Sequence, residues 1–231
     1  MEKKQYELLI EVLRRLQSKG VLNKLILAGS WGLVLYRKYF DDSTLYPSLR
    51  TRDADFIIPA HLEIREKINI PELLEDLGFV VDFNRASNFI RLLHPALIIE
   101  FLVAEKGRGS GMSREIKGLG ITAQPLRYLN YLESKVISID IEGLKVKVPD
   151  PAVFALHKLI IMTRRRSEEK RDKDKKQAKS VLMHLLKKGR EKDIREAICL
   201  MHPKWFKTAL DNLEKEGETE LLQRLKQITP T

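Results

Sequence analysis

The chain has 231 residues, enough for one large domain or two small ones, and 43% of them are hydrophobic, which excludes a disordered chain. Its 42 Lys and Arg against 32 Asp and Glu leave a net charge of +10, which favours polyanionic partners such as RNA, DNA or nucleotide phosphates. The single cysteine, Cys199, excludes an internal disulfide, no apolar run is long enough to span a bilayer, and the opening Met-Glu-Lys-Lys-Gln lacks the apolar core of a signal peptide, so a cytoplasmic protein with no membrane contact is expected.

Apolar residues at 8, 9, 12, 13 and 16 predict a helix over 7–16, ended near Gly20. Residues 25–28, Leu-Ile-Leu-Ala, read as a buried strand that breaks at Gly29-Ser30 into a helical pattern over 31–40. Residues 41–50 are polar, contain Pro47 and read as a loop; 54–58 form the next strand. A short helix over 71–77 has Pro71 at its start and Gly78 just past its end. The apolar runs 79–83 and 88–93 flank Asn-Arg-Ala-Ser and predict a hairpin, and 97–103 a third strand able to lie beside 54–58. Residues 106–111, half of them glycine, are expected to be a flexible loop.

A second hairpin is predicted over 136–141 and 144–148, through Glu142-Gly143. Strand signals stop at Pro149, and 151–165, 174–187, 193–201, 204–214 and 219–227 read as helices. The expected fold class is α/β (α+β), with a mixed sheet flanked by helices over 1–149 and a mainly helical domain over 150–231.

Asp53 and Asp55 lie two apart in a strand and so project from one face. Carboxylates that close repel unless a cation sits between them, and hard oxygen ligands of this kind suit Mg²⁺. The bland alternative is a polar strand edge on which Arg52 partners a carboxylate. Gly29 and Ser30 stand at a strand-to-helix turn, where backbone N–H groups suit a phosphate, although a tight connection alone would use the same residues. Glu100 interrupts the apolar run Leu-Ile-Ile-Glu-Phe-Leu-Val, so it needs a partner, a metal or solvent. Arg50 and Arg52 flank the acids, where a local ion pair and a triphosphate contact are equal alternatives. Trp31 reads as core.

From Arg164 to Lys179 stand nine basic and four acidic residues, ordinarily a solvated face rich in ion pairs. Lys158 follows Ala-Leu-His on a mainly apolar helix, so it either snorkels or points into a cleft. The histidines lack metal-ligand spacing, and Cys199, in an apolar helical run, is expected to be a buried small hydrophobe.

Gly29-Ser30 on a strand-to-helix turn, then Asp53-x-Asp55 on the next strand and Glu100 on a later one, resembles the nucleotidyltransferase superfamily over residues 25–103. The second half, with Lys158 after a proline, an Arg cluster and Lys173-Asp174, resembles the AbiEii-type toxins and their uncharacterised bacterial relatives. The resemblance implies Mg²⁺-dependent transfer of a nucleoside monophosphate from an NTP to an acceptor hydroxyl. Asp53, Asp55 and Glu100 would be catalytic and hold the metal. Gly29, Ser30, Arg52, Lys158, Lys173 and Asp174 would bind nucleotide and phosphate, with Arg164 as a weaker candidate. It implies an RNA or tRNA acceptor and a cognate regulatory protein of a toxin–antitoxin pair. The alternative is a catalytically inactive protein of the same fold that binds nucleotide or nucleic acid.

Overall fold

The apolar stripe of the first helix, α1 (Glu2–Ser18), buries Leu9, Val12, Leu13 and Leu16 at the i, i+3, i+4, i+7 spacing of one helical face. The structure is a computed structural model that describes residues 2–42, 45, 52–62, 67–84, 88–105 and 112–229. The loop over 46–51, with Arg50, and the glycine-rich segment over 106–111 lie outside the described residues, as does the turn over 85–87.

After α1 a 3₁₀ turn leads into β1 (Ile26–Ala28), buried at all three positions, and then α2 (Ser30–Phe40). Strands β2 (Asp53–Ile57), β3 (Val80–Asn84), β4 (Phe89–Leu93) and β5 (Ile98–Ala104) follow, with α3 (Ile70–Glu75) between β2 and β3. Asn69 caps α3 through its side chain, and Pro71 sits in the first turn. The expected hairpin and third strand are present: β3 pairs antiparallel with β4, and β4 with β5.

β5 is the centre of the sheet. One edge pairs in parallel with β2; the other takes β4 along residues 98–100 and β7 (Ile121–Leu126) along 102–104. β1 closes one side antiparallel to β2, and β6 (Arg114–Ile116) pairs with β7. The mixed sheet is therefore as expected. Strands β6 and β7 and the short helix α4 (Leu129–Glu133) fall in a stretch to which periodicity assigned nothing. Pro125 hides β7, because proline argues against a central strand. It is accommodated where β7 has run past its ladder with β6, which ends at Ala123.

Strand alternation sorts the faces. Ala54, Phe56, Ile99, Phe101 and Val103 are buried in the core, with the Phe56 and Phe101 rings stacked at 5.9 Å. Asp53, Asp55, Glu100 and Leu102 occupy the opposite face.

The second hairpin, β8 (Val136–Ile141) and β9 (Leu144–Pro149), lies against β1 through β9. It delivers Asp150, whose side chain accepts from the N–H groups of Ala152 and Val153 and so caps α5 (Pro151–Ile161). From here on the chain is helical: α6 (Glu168–Lys187), α7 (Glu191–Cys199), α8 (Pro203–Lys215) and α9 (Thr219–Ile228). Helix α6 starts six residues before the expected 174, since Ser167 provides a cap and Glu168 and Glu169 suit the positive end of the helix.

Every α5 residue from Pro151 to Ile160 is buried. Three buried hydrogen bonds tie these helices in: Tyr36 Oη donates to the Pro149 carbonyl (2.7 Å), Tyr131 Oη to Ala197 (2.9 Å), and Asn212 Nδ2 to Leu159 (2.7 Å). Cys199 corrects an expectation: it is exposed, because Ile194, Ala197 and Ile198 form the inward face of α7 and residue 199 turns away from it. Among the described residues no helix is long and apolar enough to cross a membrane.

Phe101→Ala should lower stability by about 3–5 kcal/mol in urea unfolding, since it opens a cavity beside Phe56. Val80→Ala, on an edge strand at a position 62% exposed, should stay within about 0.5 kcal/mol of wild type.

Candidate active site

The site begins where β1 ends. Gly29 caps α2 at φ 69° and ψ −154°, a backbone conformation that side-chain-bearing residues avoid. A Cβ at Gly29 would also collide with Asp55 Oδ2, so the missing side chain lets the turn pass directly against that carboxylate. Ser30 opens α2, with the helix's first N–H groups beside it.

Parallel pairing sets Asp55 directly opposite Glu100. Asp53 stands one pleat earlier on the same face. Burial, and then the Asp53 charge, push the Asp55 carboxyl up to about 6. Burial, and then Asp55 and Asp53, push Glu100 up to about 7. Arg91 lies 4.0 Å from Glu100, but its closer partner is Asp82.

The facing wall comes from α5 and α6. Lys158 Nζ meets Asp174 Oδ1 at 2.6 Å, and Arg165 Nε meets Asp174 Oδ2 at 2.7 Å, with Lys158 and Asp174 both buried. Burial works against the Asp174 charge, yet Lys158 and Arg165 together hold its carboxyl below the usual range. Lys173 is held below the usual lysine range by burial and by Lys158, against the pull of Asp53.

The two walls enclose a cleft of about 530 Å³. It is lined by Gly29, Ser30, Asp53, Asp55, Glu100, Lys158, Lys173 and Asp174, so eight of the nine site residues expected from sequence meet in one place. The ninth, Arg52, is not among the lining residues; its guanidinium donates to the Pro95 carbonyl at 3.0 Å. Arg164 lines the cleft with its guanidinium 5.0 Å from the Tyr128 ring centroid. Trp31 is buried core.

Several lining residues had no site role in the sequence reading, His157 among them, which read as a core or surface histidine. His157 is buried, its Nε2 has no partner among the described residues, and burial followed by the Lys158 charge holds its pKa down to about 3, so the imidazole is neutral. Phe154, His157, Lys158 and Ile161 are a single i, i+3, i+4, i+7 stripe of α5. Lys170, Lys173 and Asp174 begin the same stripe on α6. Such stripes were the available signal, but on α5 the surrounding apolar residues hid it.

A family model described as nucleotidyltransferase matches residues 7–200, and the chain belongs to that nucleotidyltransferase family. The enzyme class follows from that membership, and an NTP is the substrate that the class implies. No curated protein matches the chain in sequence. Among solved structures, the solution structure of the antibiotic-resistance factor ANT(2'')-Ia is similar at 13% identity, covering 95% of this chain and 100% of that one with a TM-score of 0.51, a likeness of fold. A crystal structure of an antigenic nucleotidyltransferase-like protein from Paracoccidioides brasiliensis is similar at 18% identity, 95% and 92% coverage and a TM-score of 0.48. ANT(2'')-Ia in complex with adenylyl-2''-tobramycin is similar at 12% identity, 85% and 97% coverage and a TM-score of 0.44.

Gly29→Ala should cost about 2 kcal/mol in urea unfolding and abolish nucleotidyl transfer, through the strained backbone and the displaced Asp55. Glu100 has its pKa raised from 4.5 to about 7 in the fold, so its stabilising contribution is full below pH 4.5 and is lost as pH rises through 7. Glu100→Gln is neutral throughout. In EDTA it should therefore gain about 2 kcal/mol on wild type between pH 4 and pH 8, by urea unfolding at each pH, after discounting for partial exposure.

Proposed function

We propose that the protein transfers a nucleoside monophosphate from an NTP to an acceptor hydroxyl in a Mg²⁺-dependent reaction, and that the acceptor is an RNA end such as that of tRNA. The observation that carries this reading is the pairing of Asp55 with Glu100 across one cleft from Lys158 and Lys173, with Ser30 at a helix N-terminus between the walls. The cleft would then lie between a nucleotidyltransferase domain over 1–149 and a helical domain over 150–231.

The acceptor oxygen attacks the α-phosphorus, the bond from that phosphorus to the bridging oxygen breaks, and pyrophosphate leaves. Glu100, standing directly opposite Asp55 on the sheet, takes the acceptor proton as the general base. Gly29 and Ser30 hold the terminal phosphates, and Lys158 and Lys173 stabilise the charge that gathers on the leaving pyrophosphate. Asp174 acts through Lys158 and Arg165 by fixing both cations.

The donor set suits Mg²⁺: Asp53, Asp55 and Glu100 offer only hard oxygens, and burial, followed by the neighbouring carboxylate charges, raises the last two toward neutrality. Among the described residues no group of three or more His, Cys, Asp or Glu side chains is placed to hold a metal ion, so the ion would rest on no more than two of these carboxylates at once, with substrate phosphate oxygens completing its shell. When bound, Mg²⁺ supplies Lewis-acid polarisation of the α-phosphate.

The net charge of +10 and the cleft-lining Arg164, Arg165 and Lys170 support a polyanionic acceptor over a polycationic one.

Wild type and Asp55→Asn, each incubated with the four α-labelled NTPs, Mg²⁺ and total RNA, test the reading. Wild type should label RNA, and Asp55→Asn should be slower by about 10³-fold or more while unfolding in urea no earlier than wild type, the loss reflecting a metal ligand. Survival of activity in Asp55→Asn would remove the metal role. No transfer, with no Mg²⁺-dependent NTP binding, would leave a fold-retaining binding protein.

A further inference from the structure

Helix α6 presents Lys170, Lys173 and Asp174 to the cleft, and the next position of that stripe is Gln177. Gln177 is fully buried and donates from Nε2 to Ser30 Oγ at 3.0 Å, linking two residues 147 apart in the chain. One turn earlier Asp174 is pinned by Lys158 and Arg165, which fixes the part of α6 from which Gln177 projects.

A serine hydroxyl has one proton to donate and two lone pairs. The Gln177 amide fills one lone pair, so the Ser30 proton points elsewhere. Ser30 lines the cleft, and its proton has no acceptor among the described residues. We propose that Gln177 is a positioning residue that sets the polarity of the Ser30 hydroxyl, so that it donates into the cleft to an oxygen of the nucleotide's terminal phosphates. This rests on the assignment of Ser30 to the phosphate cradle.

The role needs a donor at 177, which separates it from simple packing. Gln177→Glu keeps the shape but offers only acceptors, and draws the Ser30 proton away from the phosphate. Gln177→Met keeps the length, removes the polarity and leaves the hydroxyl free to rotate. The probes are the α,β-methylene analogues of the four ribonucleoside triphosphates with Mg²⁺, and the matching monophosphates. Binding is measured by calorimetry on variants whose circular dichroism matches wild type.

Ser30→Ala and Gln177→Glu should each weaken triphosphate binding about tenfold, the equivalent of one charge-assisted hydrogen bond, and the double variant should lose no more than either. Monophosphate binding should be unchanged. In steady-state transfer the NTP KM should rise with kcat nearly unchanged. Gln177→Met should lose about threefold, and it carries the test if a buried glutamate prevents folding.

Loss from Ser30→Ala with wild-type triphosphate binding in the Gln177 variants would overturn the role of Gln177 and leave the cradle standing. Equal loss for monophosphate and triphosphate would reduce Gln177 to packing. Wild-type triphosphate binding by Ser30→Ala would overturn the cradle and this inference together.

Discussion

Parallel pairing of β2 with β5 puts Asp55 directly opposite Glu100, and the rest of the site answers that placement. Burial first, and then the neighbouring carboxylates, Asp53 for Asp55 and both aspartates for Glu100, raise the pKa of each group. Parallel strands also need a long crossover, which the chain supplies with α3 and the β3–β4 hairpin. That hairpin returns β5 to the middle of the sheet, where one face of β5 is core and the other carries Glu100. Gly29 completes the arrangement by allowing the β1–α2 turn to pass against the Asp55 carboxylate.

The cationic wall is built by a different device. Helix α5 is apolar and buried, a poor host for an ammonium group. Lys158 survives there because Asp174 reaches it from α6, and the same carboxylate takes Arg165. One buried acid thus positions two cations, and removing it would leave both uncompensated. Lys158 had snorkelling and the cleft as alternatives; the structure gives it a buried partner at the edge of the cleft.

Legibility from sequence followed the strength of local signals. The Asp53–Asp55 spacing, the Gly29–Ser30 turn and the lone acid in the β5 run were readable because each breaks an otherwise apolar pattern. The hairpins showed through turn residues between apolar runs. Strand β7 did not, because Pro125 contradicts a strand until one sees which edge it occupies. Gln177 was illegible for another reason: it is a single polar residue on a helix, and its value lies in Ser30, 147 residues away in sequence. Arg52 followed its neighbours in sequence toward the acids, yet in space it found a backbone carbonyl. Cys199 misled because α7 packs on one side only, through Ile194, Ala197 and Ile198, and the apolar residue that follows them turns outward.

One wall gathers three carboxylates, and the facing wall keeps an excess of positive charge after Asp174 has answered Lys158 and Arg165, so neither relieves the other fully. Folding the chain therefore gathers repulsion on both sides of the cleft. A nucleotide phosphate on one side and a dication on the other, as the proposed reaction requires, would remove both repulsions at once, and any ligand that binds the fold and not the unfolded chain stabilises it by mass action. Nucleotide supply and conformational stability thus become a single linked quantity: the charges that make the cleft receptive also make the protein's resistance to unfolding depend on what occupies it.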